Sequence, residues 1–184
     1  MRTPDRLIEA ALPNAAVSRE AVDPETYRMA MRSHAGAVII LSAGHPGERT
    51  GLTATSVCSL SDRPPRVVAC VNRSASAHQL IGRTRAFAVN ILGAGQLELA
   101  AVFAGRRGIE RENRFEAESW LSLATGAPIL RLALANLDCE LFAEHPYDTH
   151  SIFIGEVKAV RVQQAKDPLI YFGGGFCSLD QNSA

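Results

Sequence analysis

Apolar and polar positions along this chain alternate mostly with a period of two. From residue 133 to 143 every odd position is apolar: Ala133, Ala135, Leu137, Cys139, Leu141 and Ala143. That is the signature of a half-buried strand. HSIFIGEVKAVRV is its expected hairpin partner across EHPYDT. AVIILSA reads as a short buried strand, and GLTATSVCSL and RVVACV as strands rich in β-branched residues. FAVNIL is another strand, with Phe87, Val89 and Ile91 on one face, and PLIYF closes the set.

Helical signals are fewer. Asp23 caps a helix that has Pro24 in its first turn, continues through TYRMAMRSH and stops at Gly36. SASAHQLIGR predicts a short helix with a serine cap. GQLELAAVFAG predicts a helix apolar on nearly all sides, buried or at an interface. Residues 105–128, which hold the single tryptophan, Trp120, read as a long excursion over the surface or onto a partner subunit. The pattern predicts about six or seven strands and three helices without internal repeat. Short connections favour an antiparallel barrel over a doubly wound parallel sheet. The fold class expected is mainly β with flanking helices. An N-terminal arm is expected over residues 1–22, and one domain over 23–184.

Composition narrows the function classes. The 184 residues suffice for one domain with a sizeable core. Lys plus Arg and Asp plus Glu number 19 each, so no general pull towards nucleic acid or membrane is expected. No apolar run approaches the roughly 20 residues of a spanning helix, and the first residues lack a secretory apolar core. A cytoplasmic location is the expectation. Cys58, Cys70, Cys139 and Cys177 match no zinc spacing and are expected as buried free thiols.

Two segments carry the candidate chemistry. Thr53, Ala54, Thr55 and Ser56 are small enough to let a flat ring approach the main chain. Asn72, Arg73, Ser74 and Ser76 offer a cation, hydroxyls and turn amides at a helix start, where an anion is favoured; His78 is a weaker member. The run from Val89 to Glu98 imitates a dinucleotide-binding turn. Its third small position is Glu98, which would crowd and repel a pyrophosphate, so Gly93 and Gly95 are read as a tight strand-to-helix turn.

Taken in order, TATSVCSLSDRPP, VNRSAS, FAVNIL, the Gln-x-x-x-Ala helix running into FAG, THSIFIGEV and PLIYF carry a family resemblance over roughly residues 27–179. The chain resembles the short-chain flavin reductases, the reductase components of two-component flavin-dependent monooxygenases. The type serving 4-hydroxyphenylacetate 3-monooxygenase is the nearest. The resemblance implies an FMN-binding split β-barrel, a homodimer, and hydride transfer from NADH or NADPH to FMN or FAD for a separate oxygenase. It implies that the 72–76 loop holds the flavin phosphate region, that residues 53–56 line the ring through main-chain groups, and that Phe103 and Phe176 lie near the cofactors. His150 is implied beside the nicotinamide as the catalytic residue. Members often carry a basic residue between the positions of Phe172 and Phe176; this chain has Gly173, Gly174 and Gly175 there. The alternatives are a same-fold flavoprotein reducing another acceptor, such as a corrin, and a non-catalytic flavin- or haem-binding barrel.

Overall fold

In the computed structural model the described residues are 21–116, 118–163 and 167–179. The expected arm over residues 1–22 therefore lies almost wholly outside them. Helix α1 (Pro24–Met31) begins as expected: the Asp23 carboxylate accepts from the amides of Glu25 and Thr26. Twelve strands follow in three sheets among the described residues. They are β1 (Gly36–Ala37), β2 (Ile39–Ala43), β3 (Thr50–Ala54), β4 (Val57–Asp62), β5 (Pro65–Asn72), β6 (Ala86–Ile91), β7 (Trp120–Ser122), β8 (Pro128–Leu130), β9 (Ala135–Pro146), β10 (His150–Val162), β11 (Leu169–Phe172) and β12 (Gly175–Ser178). Helix α2 (Ser76–Thr84) joins β5 to β6, and α3 (Leu97–Phe103) follows β6.

The main sheet has the order β3-β2-β6-β9-β10-β5-β4, with every ladder antiparallel. Its two edges, β3 and β4, are consecutive in the chain and only Thr55 and Ser56 separate them. A seven-stranded sheet whose edges are covalently joined must curl round on itself. No ladder links β3 to β4 or β5, so the barrel is split rather than closed. GLTATSVCSL is thus two strands, not the single one expected: the corner at Thr55 and Ser56 carries the chain from one edge to the other.

Alternation places the core. Ile39, Leu41, Val67, Ala69, Val71, Phe87, Val89 and Phe153 point into the barrel, and Leu80 and Ile81 of α2 plug one end. Val38, Ile40 and Leu92 point outwards beneath α3, Phe115, Leu130 and Leu169. A strand covered on both faces reads as a continuous apolar run, which explains AVIIL. Helix α3 buries Leu99, Ala100, Ala101, Val102 and Phe103 against its own chain. Of its large apolar residues only Leu97 is exposed. The 105–128 excursion likewise returns to its own chain: Phe115 and Trp120 pack on Phe103 at ring-centroid distances of 5.1 and 5.7 Å.

One polar feature of the outer face escapes a two-state apolar/polar reading. Asn90 is fully buried; its amide donates to Ile40 O and Ser42 Oγ, and its carbonyl accepts from Leu130 N and Asn136 Nδ2. Ser42 Oγ donates to Pro128 O at 2.5 Å, and Asp138 accepts from Thr125. The network fastens the β7–β8 hairpin across the sheet. The cysteines also differ from expectation: Cys139 is buried, Cys70 is half-buried, and Cys58 and Cys177 are exposed because they fall on outward or edge positions.

Candidate functional site

The split is the part of the barrel with backbone groups left for a ligand. At one end, Ser56 is bound to Cys70: Cys70 N donates to Ser56 O at 3.0 Å and Ser56 Oγ donates to Cys70 O at 2.9 Å. At the other, Thr50 Oγ1 and Ser76 Oγ share a hydrogen bond of 2.7 Å. Residues 50–56 and 70–76 therefore run antiparallel, fastened at both ends and unladdered between. Edge strands leave alternate N–H and C=O groups without a sheet partner. The strand β3, five residues long, covers about 13 Å of the seam at the usual rise per residue.

Parity decides which side chains face the ligand. Leu52 and Ala54 pack towards the barrel core, as do Val71 and Phe153. Thr53, Thr55, Asn72 and His150 alternate with them and face outwards. Thr53 is tied down, its Oγ1 donating to Ala100 O at 2.7 Å. Thr53, Ala54 and Thr55 line an open cleft of about 190 Å³ with Ala104, Arg106, Tyr171 and Phe176. The Arg106 guanidinium sits 5.1 Å above the Phe176 ring. Tyr171 meets Phe176 edge to face at 5.5 Å.

The hairpin that supplies these rings depends on glycine. Gly173 and Gly174 have φ of 62° and 90°, the left-handed conformations a tight two-residue hairpin turn needs. That turn pairs Tyr171 with Phe176 across the β11–β12 ladder. Tyr171 was not singled out in the sequence, yet a Gly-Gly turn between aromatic residues was the signal that could have placed it. Arg106 supplies a cation to the ring that the Gly173 to Gly175 run lacks, and it comes from the end of α3. Its neighbour Arg107 is spoken for, with Nε donating to Glu98 at 2.6 Å.

Phe103 does not line the cleft directly. Its ring is buried in the layer between α3 and the sheet, seated on Gly51, where an added Cβ would lie 2.9 Å from the ring and 2.7 Å from Leu41 O. It shapes β3 from behind and does not line the cleft. The helix cap also differs: α2 is capped by Ala75, without a side-chain cap bond, because the Ser76 hydroxyl turns to Thr50.

The polar half of the split is a rigid turn. Asn72 Oδ1 accepts from the amide and the hydroxyl of Ser74, both at 2.8 Å. Arg73 donates to the carbonyls of Tyr147 and Asp148, and its amide to Thr149 O, so it buttresses the β9–β10 turn. His150 is the register partner of Asn72 on β10. It is exposed, with Nδ1 2.8 Å from Thr149 Oγ1. His78 faces inwards: Nε2 lies 2.8 Å from buried Ser151 Oγ and 3.3 Å from Glu144 Oε1. Following the 50–56 and 70–76 pairing inward from its fastened ends sets Asn72, and with it His150, opposite Ala54 at the aromatic end. Ser76 marks the far end.

The arrangement thus offers an aromatic, cationic cleft at one end of the seam and a hydroxyl-bearing turn on its other side. Among the described residues no group of three His, Cys, Asp or Glu side chains is placed to hold a metal ion, and no helix is long and apolar enough to cross a membrane. The model of the flavin reductase like domain matches residues 31–180, and the chain belongs to that family. The FMN reductase (NADH) RutF of Pseudomonas syringae pv. syringae is 40% identical over 164 residues, covering 89% of this chain and 88% of its own. The NADH:FAD oxidoreductase SgcE6 of Streptomyces globisporus C-1027, solved in complex with NAD and FAD fragments, superposes with a TM-score of 0.79 at 30% identity. It covers 90% of this chain and 99% of its own. BorF, the flavin reductase component of a bacterial two-component tryptophan halogenase, also scores 0.79, at 31% identity over 85% of this chain and 98% of its own.

Proposed function

We propose that the chain is an NADH-dependent flavin reductase that binds its flavin across the split and hands the reduced product to a separate flavin-using enzyme. The observation that carries this is the cleft where the free edge of β3 meets Phe176, Tyr171 and Arg106. The residues fit the group: a planar ring system needs an aromatic wall and main-chain donors, and its reduced form gathers negative charge that a cation stabilises. When bound, the flavin would supply the hydride acceptor opposite the nicotinamide.

The chain itself supplies orientation and charge. Edge-strand groups of residues 53–55 would hold the polar rim of the ring. Ser74, Ser76 and the 72–76 amides would meet the phosphate, and Arg73 would hold the neighbouring turn in place. His150, exposed at the aromatic end, would position the nicotinamide; no proton transfer is required of it. The open cleft and the family's pairing with oxygenases favour an exchangeable flavin over a permanently held one. A homodimer belongs to the same reading, as the resemblance implies.

Anaerobic stopped-flow absorbance at the flavin band, with FMN and NADH or NADPH, tests the proposal. Rapid bleaching is expected with NADH, slowed about tenfold or more by His150→Ala, since small misplacements of reacting groups cost up to about a hundredfold. A flavin-loaded protein that neither nucleotide bleaches would leave a non-catalytic flavin carrier. Bleaching unaffected by His150→Ala would remove the nicotinamide from that residue.

A further inference from the structure

Just past the 72–76 turn, three polar side chains from three elements form a cluster that the reading above leaves without a role. His78 comes from α2, fully buried Ser151 from β10 and half-buried Glu144 from β9. Ser151 Oγ donates to Glu144 Oε1 at 3.0 Å. A hydroxyl has one proton to give, and this one goes to the carboxylate. His78 Nε2, 2.8 Å from the same hydroxyl oxygen and 3.3 Å from Glu144 Oε1, must therefore carry a proton and donate it. The ring also packs on Phe153, with centroids 5.1 Å apart.

The direction of that bond matters because of what α2 carries. Asn72 O accepts from Ala75 N, and Ala75 O accepts from His78 N, both at 3.0 Å. The 72–76 turn and the first turn of α2 are thus one hydrogen-bonded unit. Ala75 provides no side-chain cap, so the leading amides of α2 remain for an acceptor from outside the helix. Ala77, Leu80 and Ile81 bury the helix against the barrel, but apolar burial is non-directional. Polar ties must set how the helix is turned about its axis. Ser76 bonds to Thr50, and Arg73 N donates to Thr149 O. His78 is the tie that reaches β9 and β10 together.

We propose that His78 is a positioning residue for the flavin phosphate: held through Ser151 and Glu144, it sets the rotation of α2 and with it the aim of the 72–76 amides. This deepens the flavin placement proposed above and rests on it. His78 acts through the turn and does not touch the ligand. Removing its donor should weaken recognition of the phosphate and leave the ring and the hydride step alone.

FMN and riboflavin share the ring and differ by the phosphate, so the pair isolates that effect. Dissociation constants for both, KM for FMN and kcat are measured on the full chain and on His78→Leu, His78→Gln and Ser151→Ala. Leucine keeps apolar packing on Phe153 and removes the donor; glutamine returns an amide N–H close to the place of Nε2. A hydrogen bond of this kind corresponds to about fivefold to tenfold in affinity. The Kd and KM for FMN should rise by that factor in His78→Leu and Ser151→Ala, with riboflavin affinity and kcat held. His78→Gln should recover most of the loss. Contacts in one network do not add, so the double variant His78→Leu/Ser151→Ala should lose no more than either single one. Equal losses of FMN and riboflavin, or a kcat that falls with them, would reduce the cluster to packing and overturn the proposal. A glutamine variant no better than leucine, or additive losses in the double variant, would also overturn it. An unaltered chain that binds FMN no tighter than riboflavin would instead bring down the phosphate placement itself, and the positioning role with it.

Discussion

Arg106 is the residue that brings a cation to the aromatic wall of the cleft. Its guanidinium faces the Phe176 ring from the end of α3 rather than from the β11–β12 hairpin. A cation over an exposed ring contributes only about 0.5–1 kcal/mol, so Arg106→Ala should weaken oxidised FMN by no more than a few fold. Charge stabilisation counts for more where negative charge develops. The affinity for reduced FMN, measured anaerobically, should therefore fall at least twice as far as that for oxidised FMN. Equal losses for both forms would reduce Arg106 to a packing residue. The thiols follow an equally local logic. Burial, together with neighbouring Asp138, pushes the Cys139 thiol up to about 12. Only the thiolate reacts, so at pH 8 iodoacetamide should label exposed Cys58 and Cys177 in the folded protein and leave Cys139 untouched until it unfolds. Mass spectrometry of labelled peptides reads this directly. Sequence could not rank these thiols, because each falls in a strand and only the direction that strand presents separates them.

Among elements, the β7–β8 hairpin shows how the site is held from behind. The hairpin carries Trp120 onto Phe103 and Phe115, and Phe103 in turn sits on Gly51 in β3. Asn90 fastens this stack through four hydrogen bonds from the middle of the sheet. Asn90→Ala would leave Leu130 N without its acceptor in a buried site and take one of two acceptors from the Asn136 amide, which keeps Leu130 O. Each such loss costs roughly 1–3 kcal/mol, so unfolding should be easier by about 2–4 kcal/mol, read as a lowered urea midpoint with an unchanged slope. A change below about 0.5 kcal/mol would show that the hairpin is not anchored there. The apolar period made β6 and β9 legible, and it put Phe87 and Val89 correctly on the core face. It was blind to Asn90 and Asn136, because a polar residue at an outward position reads as solvated until another element is known to cover it. The strand break at Thr55 and Ser56 was hidden for a related reason: β-branched residues suit both strands, and the corner contains neither Gly nor Pro.

At the scale of the whole molecule, the function proposed depends on a barrel left unzipped along one seam. Thr50 to Ser76 and Ser56 to Cys70 close the ends of that seam, and no ladder crosses between them. Motif order in the sequence implied that residues 53–56 and 72–76 belong to one site. It could not convey that they face each other across a gap, because the gap arises only when a seven-stranded sheet bends until its first and last strands meet. A ligand spanning the seam would serve as the missing rung. Binding to the folded state alone stabilises by about 2.7 kcal/mol at a hundredfold excess over Kd. For a domain of this size that corresponds to roughly 5–10 °C in Tm. Hydrogen exchange should show where the stabilisation is felt. With FMN bound, protection should rise in peptides covering residues 50–56 and 70–76, while β9, already paired on both sides, should change little. Protection confined to the β11–β12 hairpin would place the ligand on the aromatic wall alone. Protection spread evenly over every strand would mean that flavin tightens the fold globally and that the seam has no special part in holding it.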